Sequence, residues 1–123
     1  MNLKILTIQK SNEFKKISKE NKKFHAKTIL LLSTTTPLFY SYNQEQGKNA
    51  KEFCRVGYTV SKTVGNAVIR NLAKRRLREA VRNLFPQYAK TQFDYVVIAK
   101  REIAEADFKK ILADLKFCLK RIH

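Results

Sequence analysis

The stretch from Ala67 to Phe85 contains neither proline nor glycine, begins after Gly65-Asn66 and stops at Pro86, so it predicts a single helix of about five turns ended by that proline. At about 100° per residue, Ile69, Ala73, Leu77, Ala80, Val81 and Leu84 fall on one side. Asn71, Lys74, Arg75, Arg78 and Arg82 fall on the other. Seven basic residues (Lys62, Arg70, Lys74, Arg75, Arg76, Arg78 and Arg82) lie between Lys62 and Arg82 against one acid, Glu79. Most charged helix faces are simply solvated. Here a single Glu leaves the repulsion along the face largely uncompensated, and guanidinium groups match phosphate oxygens in paired contacts. The polar side of this helix is therefore expected to bind anions.

The rest of the composition agrees. The chain has 123 residues, with 26 Lys and Arg against 10 Asp and Glu, a formal charge of +16. That length predicts one domain, 1–123. With 44% apolar residues, eight Phe and five Tyr there is material for a core, while the charge calls for a polyanion, nucleic acid or an anionic membrane surface. The longest apolar runs, such as Ile29-Leu30-Leu31-Leu32 and Tyr95 to Ala99, fall far short of the roughly 20 residues a span needs. No membrane partner is expected. Met1 to Lys10 lacks a small-residue cleavage site, and a cytoplasmic location is expected by default. Cys54 and Cys118 form no Cys-x-x-Cys pair and are expected to be reduced core residues.

Around the long helix the elements read in order. Residues 13–20 predict a short basic helix with Phe14 and Ile17 at helical spacing. Ala26 to Ser33 reads as a buried strand, and Leu38 to Tyr42 as a second. Phe53 to Ser61 alternates, with Cys54, Val56, Tyr58 and Val60 on an apolar face and Phe53, Arg55, Gly57 and Thr59 on a polar-leaning one. Phe93 to Ala99 is apolar on both faces, as in a central strand with a parallel neighbour. A last helix has the core stripe Phe108, Ile111, Leu112, Leu115, Cys118, Leu119 and Ile122, with acids at its amino end and Lys120 and Arg121 at its carboxyl end. The expected fold class is α+β: a single-domain α-β sandwich, a mixed sheet covered by helices in the order α-β-β-β-α-β-α, with a β-α-β crossover.

A second basic cluster runs from Lys10 to Lys27 and contains Phe14. An aromatic ring among lysines can stack on an unpaired base, worth about 1–3 kcal/mol; Phe14 and Ile17 can equally form the apolar face that docks the short helix on the sheet.

Val56-Gly57-Tyr58-Thr59-Val60-Ser61-Lys62, followed by Gly65-Asn66-Ala67-Val68, Arg70-Asn71, Lys74-Arg75 and Arg78-Glu79, resembles the signature of the bacterial ribonuclease P protein family. The early Phe14 helix and the Asp94 to Lys100 strand resemble that family too. The resemblance implies a ribonucleoprotein endonuclease in which a large catalytic RNA performs the Mg²⁺-dependent hydrolysis and one protein per RNA helps it recognise precursor tRNA. It implies that Arg70, Asn71, Lys74, Arg75 and Arg78 belong to a helix that meets the catalytic RNA and borders the substrate. Phe14, Lys27 and Lys62 would lie on or near the cleft for the single-stranded 5′ leader, and the crossover would be left-handed, an exception to the usual hand. Leu72 stands where the family's motif has its second Arg.

The residues offer no nuclease site of their own. Convergent carboxylates or a well-placed His would be needed, and the two histidines are His25 and His123, while Asp94 is followed by Ile98-Ala99-Lys100 rather than a second carboxylate. No metal is expected on the protein's own side chains; Mg²⁺ would come with the RNA. A structural RNA-binding protein, such as a ribosomal protein, fits the same composition, and a DNA-binding protein ranks third.

Overall fold

The computed structural model describes residues 4–8, 22–36 and 53–123. Among these residues five strands, β1 (Lys4–Thr7), β2 (Lys22–His25), β3 (Ile29–Thr35), β4 (Phe53–Thr59) and β5 (Phe93–Ala99), form one sheet in the order β1-β4-β5-β3-β2. The sheet is mixed: β1 with β4 and β4 with β5 are parallel, β5 with β3 and β3 with β2 antiparallel. Among the described residues two helices, α1 (Ala67–Tyr88) and α2 (Phe108–Ile122), cover it. This is the expected α+β architecture, and α1 is the crossover between the parallel neighbours β4 and β5. The expected helix at 13–20, with Phe14, and the expected strand at Leu38 to Tyr42 lie outside the described residues.

Register assigns the two faces. Val56 stands opposite Tyr95 and Leu31 opposite Val97, and these side chains join Ile29, Cys54, Leu77, Val81, Phe85, Ile111, Leu115 and Cys118 in the main core beneath the helices. Each fully buried Leu or Phe there contributes roughly 2 kcal/mol through area removed from water. The alternate residues face the other way, where Ile8, Leu32 and Val96 form a second buried cluster with Leu30 and Ile98 against it.

Four expectations need correction. The Phe53, Arg55 and Gly57 side of β4 is buried rather than polar and open, because Arg55 is neutralised across the sheet by Asp94. The helix does not stop at Pro86 but runs to Tyr88. Proline removes only one rung near the helix end, while the Ala89 amide still reaches the Phe85 carbonyl at 2.9 Å and Phe85, Tyr88 and Ala89 pack on the core. Ile69 is 36% exposed rather than part of the packed stripe, its side chain in the first turn lying against Gly65. The first buried strand lies at Ile29–Thr35, later than Ala26 to Ser33, since the Ala26 amide turns back to the Ile29 carbonyl at 2.8 Å and closes the β2–β3 hairpin. Strands β1 and β2, four residues each, are further additions at the sheet edges. Both cysteines are free and buried, as expected.

Candidate nucleic-acid interface

The entry to α1 is built by four residues. Val64 ends the 3-10 turn Lys62–Val64 and is buried, leaving Lys62 exposed beside it. Gly65 then takes φ +155°, a conformation open to glycine at little cost. The Asn66 side chain accepts a hydrogen bond from the Ile69 amide at 3.0 Å, the N-cap that aims the helix. Ala73, Leu77, Ala80, Val81 and Phe85 anchor α1 to the core, so the opposite flank is held outward by packing.

On that flank Asn71, Arg75, Arg78 and Arg82 are exposed and Arg70 and Lys74 half-buried. Arg82 lies 3.1 Å from Glu79, with both side chains solvent-exposed, an ion pair of little energetic weight. Arg78 sits over the Tyr58 ring, 5.8 Å from its centre. Burial pushes the Tyr58 hydroxyl up to about 12, Arg78 and Arg82 opposing this, so the platform under Arg78 stays neutral. Arg76 donates to the Ala106 carbonyl at 3.1 Å and ties α1 to the turn before α2. Among the described residues no carboxylate pairs with Arg70, Lys74, Arg75 or Arg78, and the Arg70 Nε, shielded from solvent, makes no hydrogen bond. The structure thus brings Lys62, Arg70, Asn71, Lys74, Arg75 and Arg78 together at the start and along the side of one helix, with Lys62, Asn71, Arg75 and Arg78 exposed and Arg70 and Lys74 at the half-buried margin. Val68, 77% exposed, and Leu72, 37% exposed, interrupt the cations on this surface; Leu72 lies on the open side, as the helical spacing predicts.

Lys27 stands apart from that flank. It lies in the turn between β2 and β3 and lines a cavity of about 360 Å³ with Thr28, Glu102, Glu105, Ala106 and Lys110. The 3-10 turn Arg101–Glu105 behind this cavity packs on the turn that carries Lys62, so both lysines belong to the end of the molecule where the helices begin. Thr28 is held by Asp114: its amide donates to Oδ2 at 2.9 Å and its hydroxyl to the same oxygen at 2.5 Å. Lys110 Nζ lies 3.1 Å from Oδ1. Phe14 lies outside the described residues.

The sequence reading missed Tyr58, Arg76 and Asp114. Tyr58 was legible only as a core-facing residue of β4; its role under Arg78 depends on where the crossover returns. Asp114 interrupts the apolar stripe of α2 one residue before Leu115, and a lone acid there is a signal of a buried partner.

Asp94 and His123 have other attachments. Asp94 accepts from Arg55 Nε at 2.8 Å and from Arg55 Nη2, and also from the Thr36 hydroxyl at 2.8 Å. Among the described residues no cluster of three or more His, Cys, Asp or Glu has the arrangement of a metal site. His123 Nε2 shares a hydrogen bond of 2.5 Å with the Tyr95 hydroxyl. Among the described residues no helix is long and apolar enough to cross a membrane.

Comparison with known proteins agrees with this geometry. A family model described as Ribonuclease P matches residues 4–123. The ribonuclease P protein component of Paramagnetospirillum magneticum is 54% identical over 68 residues, 55% of this chain and 51% of that protein. That of a Thermoanaerobacter species is 39% identical over 108 residues, 88% and 81% of the two chains. The matched stretch thus spans about half the length of the first of these relatives. Among solved structures, the RNase P protein from Thermotoga maritima superposes with a TM-score of 0.75 at 26% identity, covering 95% of this chain and 97% of that one. The Staphylococcus aureus RNase P protein gives 0.73 at 26% identity, covering 97% and 98%. With the family model running almost from end to end and the sheet order and helices matching solved members, the chain belongs to the ribonuclease P protein family.

Proposed function

We propose that this chain acts as the protein subunit of ribonuclease P: it binds the catalytic RNA, contacts the 5′ leader of precursor tRNA, and assists the endonucleolytic step that yields the mature tRNA 5′ end. The observation that carries the reading is the outward flank of α1, where Arg70, Lys74, Arg75 and Arg78 lack carboxylate partners among the described residues. Phosphates of a folded RNA would supply the missing countercharge, with Asn71 as a hydrogen-bonding neighbour. Lys27 and Lys62, at the end where the helices begin, would guide the leader backbone, and Phe14 would stack on an unpaired leader base. Hydrolysis would occur in the RNA, whose phosphates hold Mg²⁺, one protein serving each RNA in the cytoplasm. Asp94, the one carboxylate on the central strand, is committed to Arg55 and Thr36, which favours this division of labour over a nuclease site on the protein.

The test is reconstitution. The protein with the catalytic RNA should release the leader at low Mg²⁺, and the protein alone should not. Arg70→Ala and Arg75→Ala should each lower the salt dependence of binding to the catalytic RNA by about one unit of slope, as expected for one lost phosphate contact. Unchanged slopes for both would remove the flank from the interface. Phe14→Ala should leave assembly intact and weaken the preference for precursor over mature tRNA; equal preference with and without the ring would make Phe14 a packing residue.

A further inference from the structure

A second group of cations sits far from the α1 flank. Lys116 and Lys120, one turn apart on the exposed side of α2, both hold their ammonium groups over the Tyr88 ring, at 5.6 and 5.8 Å from its centre. The Arg121 guanidinium lies 4.5 Å from the centre of the Phe117 ring, and Phe117 is 44% exposed. At the same end of the molecule burial, with the positive charges of Lys90 and Lys22 adding to it, holds the His123 imidazole below its ordinary value. Among the described residues no carboxylate pairs with any of these five cations. Glu102, Glu105 and Asp107 lie at the opposite end of α2, and Asp114 is buried with Thr28 and Lys110. The helix dipole accounts for a cation in the last turn of α2. It does not account for Lys22 and Lys90, which lie on other elements, nor for two lysines gathered over one aromatic ring.

We infer that the carboxyl-terminal end of α2, together with Tyr88, is a second docking surface for the catalytic RNA, with Lys116, Lys120 and Arg121 on its phosphates and the Phe117 ring against a sugar or base. This rests on the reading of the chain as an RNA-binding subunit. Charge complementarity selects a polyanion, and position selects this one. Arg76 meets Ala106 just before α2, and Tyr88 meets Lys116 and Lys120 near its end, so the two helices run in the same sense on one side of the sheet. Arg70 and Tyr88 are roughly 27 Å apart along α1 at 1.5 Å per residue. A large folded RNA laid along the helical layer spans both groups. The leader does not, because Lys27 and Lys62 lie at the other end of the helices.

The test is the triple variant Lys116→Ala, Lys120→Ala, Arg121→Ala, titrated against full-length catalytic RNA over a salt series. Thermal melting confirms that it folds. Each lost contact removes about 0.9 from the slope of log affinity against log salt. For three lost contacts the slope should therefore fall by about 2.7, and the wild-type advantage should shrink roughly 40-fold between 50 and 200 mM salt. A wild-type slope and affinity for a folded triple variant overturn the inference, as does a loss seen only with precursor tRNA. If Arg70→Ala, Arg75→Ala alters the slope while the triple variant does not, only the second surface fails. If neither variant alters it, the RNA-subunit reading fails as well.

Discussion

Arg55 and Asp94 stand opposite each other in the register of the parallel pair β4 and β5, 2% and 1% exposed. The guanidinium meets the carboxylate with two donors, Nε to Oδ1 at 2.8 Å and Nη2 to Oδ2, and the Thr36 hydroxyl adds a third hydrogen bond of 2.8 Å. Arg55→Met retains most of the aliphatic length and removes both guanidinium donors, leaving a buried carboxylate with Thr36. Breaking a buried pair from one side costs about 3–5 kcal/mol, a large part of the roughly 5–15 kcal/mol that holds such a domain folded. For a chain of this length the melting temperature should fall by about 10–20 °C. Urea unfolding followed by circular dichroism measures the loss, with an unchanged denaturant slope showing that the unfolded state is unaltered. The double variant Arg55→Met, Asp94→Leu removes both charges and should recover most of the stability, since an apolar replacement of a buried pair is often neutral or better. A single-variant loss below about 1 kcal/mol, or a double variant as unstable as the single one, would refute the reasoning by showing that the charge left behind is not the source of the cost.

Three further outcomes are expected. Burial alone would push the Asp114 carboxyl up, but the Thr28 hydroxyl and amide and Lys110 outweigh it and hold the group below its ordinary value. The stability it contributes is therefore present above the unfolded-chain value near 4 and is lost as pH falls through the lower folded value; the stability gap between wild type and Asp114→Asn should narrow below about pH 4, and a gap constant with pH would contradict this. A Cβ at Gly65 would lie 3.0 Å from the Ile69 Cγ2 at a φ of +155°, so Gly65→Ala should cost about 1–3 kcal/mol, read as a lowered melting temperature, and a neutral substitution would count against the strained entry to α1. Burial pushes the Cys54 thiol up to about 12 and the Cys118 thiol up to about 11, so a thiol reagent at pH 8 should modify the native protein no faster than it opens, and rapid labelling would show that either thiol is accessible.

Much of this protein could be read directly from residue order. The apolar stripe of α1, the outward position of Leu72 and the burial of Cys54 and Cys118 follow from helical and strand periodicity, which depends on local geometry. The apolar-on-both-faces run Phe93 to Ala99 identified a strand with neighbours on both sides. The short edge strands β1 and β2 were harder, because four residues such as Lys22-Lys23-Phe24-His25 carry too little pattern to separate a strand from a loop. They are strands because β4 and β3 offer them backbone partners.

Apart from Ile69 in the first turn and the half-buried Lys74, sequence by itself determined which residues of α1 turn inward and which carry charge outward, since both depend on a repeat contained within the helix. Only the tertiary structure decided which cations were committed elsewhere. Arg55 reads as part of a polar strand face and is sealed against Asp94, a residue distant in the chain; Arg76 lies among the other arginines of α1 and ties that helix to Ala106. Lys120 reads as a cation that matches the dipole of the last helix, and in the structure it converges with Lys116 on Tyr88. The physical reason is common to all three: charges are neutralised or left open by groups that folding brings near them, and that proximity is set by sheet register and by how the helices lie on it, which no local pattern encodes.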